Sequence, residues 1–178
     1  MFVTEMLVLH LFVVLAHGFL EALMISAQVE LTQALKQQRQ FAARTGSGHN
    51  LILDDAAGGT GAKPIEMVAV GLAGCTAFDV ITILRQKYRQ KVTGYQVRVE
   101  ADQAERPPQV FTNIRIHHVV TGIGVDEAAL VEAIRLSEEK YCSVGAMVQK
   151  TATFQTSHEI IEDTTPWLHA AEPAGVAR

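Results

Sequence analysis

Strict alternation of apolar and polar residues is clearest in the middle of the chain. In GYQVRVEAD, Tyr95, Val97 and Val99 face one way and Gln96, Arg98 and Glu100 the other. In VFTNIRIHHVV, Ile114, Ile116, His118 and Val120 share a face, and the turn ERPP between the two runs predicts an antiparallel pair. Strand-like texture also marks Ser26 to Asp54, where AQVEL, QFAAR and HNLILD are broken by polar residues and by the turn-prone TGSG. A different pattern follows in PIEMVAVGLAGCTAFDVITILRQKYRQK. Pro64 suits a first helical turn, and the centre is apolar on nearly every face, which predicts a long helix buried all round. Gly71 and Gly74 each cost that helix about 1 kcal/mol relative to Ala, so close approach of another backbone is expected there. Asp126 can cap a second helix, DEAALVEAIRLSEEKY, with an apolar stripe of Ala129, Leu130, Ala133, Ile134 and Leu136. Cys142 falls at or just past its end. CSVGAMVQK reads as a short helix and TATFQTSHEII as a closing strand. The fold class is α+β with a mainly antiparallel sheet.

Composition narrows the function classes. The 178 residues suit one domain of ordinary size, and 48% hydrophobic content supports a real core. A net charge of −4 with interleaved signs speaks against a nucleic-acid binder. Residues 1–25 form an apolar N-terminal extension, 26–162 the domain and 163–178 a loose tail with Trp167 as a possible anchor. The extension lacks a basic n-region and carries Glu5, His10, His17 and Glu21, so it fits neither a secretory signal nor a spanning helix well. Met24 is the natural start on this reading, and a membrane partner is not expected.

Chemistry rests on two cysteines, too few for a disulfide scaffold and in no CxxC or zinc-type cluster. Cys75 lies mid-helix in apolar surroundings, and an ionised Asp79 at i+4 would disfavour its thiolate further. Its local sequence suits an inert core thiol, and reactivity would need a cation or donor brought from elsewhere in the fold. Cys142 follows the charged SEEKY, where partial exposure is expected and Lys140 would favour the thiolate. His117 and His118 are adjacent in a strand, point to opposite faces and cannot chelate one ion together. His49 reads as a turn residue. DDAAGGTGAK lacks the phosphate-loop pattern and reads as a hinge, and no nucleophile elbow is present.

Two segments carry a family likeness. KPIEMVAVGLAGCTAFDVITIL resembles the long cysteine-bearing helix of the OsmC/Ohr family, and LSEEKYCSVGAM resembles its second-cysteine motif. The intervening GYQVRVEADQAERPPQVFTNIRIHHVVTG resembles the family's strand pair, so the likeness covers about residues 26 to 161. Within the family the resemblance is to the YhfA-type branch rather than to Ohr itself. It implies an intertwined homodimer in the cytoplasm, with no metal, flavin or haem. It implies a thiol-dependent reduction of organic hydroperoxides or hydrogen peroxide, with Cys75 peroxidatic, Cys142 resolving and a dithiol as reductant. An Arg and a Glu should flank the peroxidatic sulfur. Arg44 is the candidate cation, with Arg39 second, and Glu66 the candidate acid. Here Ile65 follows Pro64 where the family usually has its acid, and Ser143 stands where it usually has a Pro after the second cysteine. Two alternatives stay open: action on another small thiol, disulfide or sulfur species, and a non-enzymatic dimeric binding protein.

Overall fold

A computed structural model describes residues 24–35, 38–55 and 59–165. The extension through residue 23, and the tail from 166 with Trp167, lie outside the described residues. The chain divides into two compact units, Met1–Pro64 and Ile65–Arg178.

In the first unit, β1 (Ala27–Leu35), β2 (Gln38–Thr45) and β3 (Asn50–Leu53) form an antiparallel sheet in the order β1-β2-β3. TGSG makes the β2–β3 turn as expected: Gly48 has φ +88°, a left-handed conformation that favours glycine, and its N–H donates to Thr45 O at 2.9 Å. His49 is an exposed residue of that turn, with Nδ1 3.0 Å from Ser47 Oγ.

The second unit is built on a three-stranded sheet in the order β4 (Lys91–Gln103), β5 (Phe111–Ile123), β6 (Thr153–Glu162). β4 and β5 pair antiparallel, with Val97 opposite His118. β6 runs parallel to β5, which requires a long crossover between them. That crossover holds α2 (Glu127–Leu136), a π-helical turn at Ser137–Tyr141, and α3 (Ser143–Val148). Asp126 caps α2 as the sequence predicts, its Oδ1 accepting from Ala128 N at 3.1 Å. The β5 alternation holds to the residue: Ile114, Ile116, His118 and Val120 are all buried.

The long helix α1 (Pro64–Thr82), continued by a π-helical turn at Ile83–Lys87, differs from expectation. Its buried residues are Leu72, Thr76 and Val80, an i, i+4, i+8 stripe. Leu72 packs with Ile114 and Ile116, while Val80 packs with Val92, Val120 and Leu130. The helix is not buried all round: Phe78 is 75% exposed and Val70 58%. One sheet face can cover one stripe only, and the remaining apolar surface of the helix is open among the described residues of this unit. Gly71 and Gly74 face that openness too, since a Cβ on either would meet nothing within 4 Å. Among the described residues Pro64–Lys87 is the one helix long and apolar enough to cross a bilayer, yet its buried stripe makes it the core helix of this unit.

Candidate active site

The site assembles where α1 passes the end of the α2–α3 crossover. On α1, Cys75 and Asp79 are four residues apart and therefore share a face; both are half-buried. The opposing wall comes from the π-helical turn, in which Cys142 N donates to Ser137 O at 2.9 Å. This wide turn brackets two functional residues. At its start Ser137 is fully buried, with Oγ 3.1 Å from Asp79 Oδ2 and 3.1 Å from Thr76 Oγ1. At its end Cys142 becomes extended (φ −71°, ψ 98°) and caps α3, its Sγ accepting from Gly145 N at 3.2 Å. Space at Gly145 is tight: a Cβ there would lie 3.2 Å from Cys142 Sγ, so the sulfur would have to give by a few tenths of an ångström.

Cys75 Sγ, Cys142 Sγ and a carboxylate oxygen of Asp79 lie within 4.8 Å of one another. Both cysteines are free thiols. A disulfide would need the sulfurs to draw in to about 2.05 Å. Cys142 is buried at 5% exposure, contrary to the partial exposure that SEEKY suggested, because the π turn rotates it into the Leu72–Ile114–Ile116 cluster. Burial pushes its thiol up to about 12; hydrogen bonding and charge from Cys75, and charge from Asp79, push the same way, while the Gly145 amide opposes them. Cys142 therefore keeps its proton at neutral pH. Lys140 does not counter this, its Nζ lying 5.2 Å over the Tyr141 ring. Among the described residues of this unit, no Arg or Lys donates a hydrogen bond to either sulfur.

The other expected residues are placed differently. Glu66 is exposed in the first turn of α1, nine positions before Cys75, which on a regular helix sets it on the opposite face about 13 Å away along the axis. Arg44 is exposed on β2 of the first unit, and Arg39 pairs with Asp55 at 3.5 Å. His117 and His118 do point to opposite faces, the first to Ser157 Oγ at 2.9 Å and the second to Tyr95 Oη at 2.6 Å. Sequence reasoning missed Ser137, Thr76 and Gly145. The signal available was small polar or side-chain-free residues at positions the apolar stripes would otherwise fill.

Comparison with known proteins converges on one family. The family model of OsmC-like proteins matches residues 57–157, a span that holds both cysteines. Protein YhfA of Escherichia coli (strain K12) is 39% identical over 121 residues, covering 68% of this chain and 90% of the relative. The crystal structure of a hypothetical protein from Aquifex aeolicus VF5 is 31% identical with a TM-score of 0.66, covering 79% of this chain and 99% of the other. An organic hydroperoxide resistance protein OsmC from Legionella pneumophila shares the fold at 15% identity, with a TM-score of 0.56 and coverage of 76% and 96%.

Proposed function

This chain belongs to the OsmC-like protein family, and on that footing we propose that it reduces organic hydroperoxides and hydrogen peroxide by a two-cysteine cycle. The observation that carries this reading is the meeting of Cys75 Sγ and Cys142 Sγ within 4.8 Å. The name of the Legionella structural relative points the same way. The Cys75 thiolate attacks the peroxide: an S–O bond forms, the O–O bond breaks, and the alkoxide leaves as an alcohol after taking a proton. The Cys142 sulfur then displaces the hydroxyl of the Cys75 sulfenic acid, forming the S–S bond, while its thiol proton leaves with the hydroxyl as water. A dithiol of the dihydrolipoamide class restores both thiols and is itself oxidised to a disulfide. Arg44 is the proposed cation for the Cys75 thiolate. Glu66 has little support as the acid, since Asp79 is the carboxylate beside the sulfurs. With cumene hydroperoxide, two thiols should disappear per peroxide consumed. Unchanged thiols would remove the proposal.

A second reading starts from the lack, among the described residues of this unit, of an Arg or Lys donating to either sulfur. The pair would then exchange with a small disulfide or other oxidised sulfur species: the thiolate fraction attacks, one S–S bond forms as another breaks, and the departing thiolate takes up a proton. Inertness to peroxide combined with rapid disulfide exchange would select it.

We further propose that the working form is a cytoplasmic homodimer. Apolar side chains left open in each unit support the dimer: Phe78 and Val70 on α1 in the second unit, and Val29 and Leu31 on β1 in the first, are half exposed or more. Phe78→Glu should turn the dimer into a monomer in light scattering at micromolar concentration. A wild-type monomer under the same conditions would refute it.

A further inference from the structure

We propose that Cys75, Asp79 and Cys142 bind one borderline-soft divalent cation of the zinc type when the protein is reduced. Three donors of the right kind, two sulfurs and a carboxylate, already lie within 4.8 Å of one another. A tetrahedral zinc site, with metal–sulfur bonds of about 2.3 Å and metal–oxygen bonds of about 2.0–2.2 Å, puts its donors roughly 3.5–3.8 Å apart. Donors within 4.8 Å of one another would draw in by about an ångström to meet that spacing, and water would fill the fourth position.

The surroundings resemble those of a built metal site. Metal-binding carboxylates are oriented by outer hydrogen bonds, and here the fully buried Ser137 hydroxyl lies 3.1 Å from Asp79 Oδ2. The Gly145 amide holds Cys142 Sγ at 3.2 Å. On binding, each thiol passes its proton to solvent and forms a metal–sulfur bond, so two protons are released and nothing is oxidised. Metal and disulfide need the same two sulfurs and exclude each other, so the bound cation keeps the pair reduced. The inference concerns binding alone and does not rest on the hydroperoxide reading.

Cobalt(II) is the optical probe. Reduced, chelator-stripped full-length protein titrated without oxygen should bind one Co²⁺ per chain, with a thiolate-to-cobalt charge-transfer band that Zn²⁺ abolishes by displacement. Cys75→Ser and Cys142→Ser should each weaken binding and diminish that band. Asp79→Asn, which keeps both thiols and nearly the same shape, and Ser137→Ala should weaken binding about tenfold or more. In the wild type, Zn²⁺ should slow alkylation of both thiols, a readout that needs no variant to fold. Absence of the band, affinity unchanged in Asp79→Asn, or alkylation indifferent to Zn²⁺ would overturn the proposal. The peroxide titration run with chelator present reads the redox reaction separately, so either idea can fail without the other.

Discussion

Cys75→Ser is expected to abolish hydroperoxide turnover, by at least about a thousandfold, while Cys142→Ser should stop the reaction halfway rather than at the start. The asymmetry follows from the geometry. Cys142 is buried and holds its proton, so it is a poor first nucleophile, but it lies close enough to attack a sulfenic acid on Cys75. In Cys142→Ser, one equivalent of peroxide should convert Cys75 to a sulfenic acid that dimedone traps in full. The wild type should give almost no adduct, because the disulfide forms first. Equal dimedone labelling of the two proteins would show that Cys142 does not resolve Cys75. Full turnover by Cys75→Ser would reverse the assignment of roles.

The second large effect concerns stability and lies away from the cysteines. His118 is fully buried on the core face of β5, with Nδ1 2.6 Å from Tyr95 Oη and no hydrogen-bond partner for Nε2 among the described residues. The rings stack with centroids 6.0 Å apart. Burial pulls the imidazole down from 6.5 to about 4, and the neighbouring His117 and His158 add to the effect. Between those two values the unfolded chain binds a proton that the folded chain refuses. The stabilisation from the neutral form is complete above about pH 6.5 and is lost as the pH falls toward 4. The loss amounts to about 3 kcal/mol, at 1.36 kcal/mol per unit. A double variant, Tyr95→Phe with His118→Phe, removes the titrating ring and leaves no orphaned hydroxyl. Denaturant unfolding at several pH values should show wild-type stability falling more steeply than the variant's over that window. Parallel curves would mean that the ring is protonated, or hydrated, in the folded state.

The sequence was most legible where a single face decides the outcome. β5 buries every second residue from Ile114 to Val120, and half-burial forces that period of two. The Asp126 cap and the α2 stripe were readable for the same reason: their cues are local. α1 shows the limit. A run apolar on all sides looks the same whether its cover comes from its own chain or from a partner, so Phe78 and the open flanks at Gly71 and Gly74 were read as interior. Cys142 was misread for another reason. The charges of SEEKY signal exposure, but a π-helical turn changes which side chains point inward, and it sends both Ser137 and Cys142 to the core. No pattern in the chain announces that turn. The approach of two sulfurs 67 positions apart was likewise closed to spacing arguments; only the family likeness suggested it, and tertiary packing brings them within 4.8 Å. Asp79 was visible at i+4 from Cys75, but its tie to Ser137 was not.

The most direct measurement is mass mapping of a non-reduced digest after one equivalent of cumene hydroperoxide. The account predicts a peptide pair joined by a Cys75–Cys142 disulfide within a single chain. A link between chains, or Cys75 carried on to sulfinic acid beside an untouched Cys142, would contradict it.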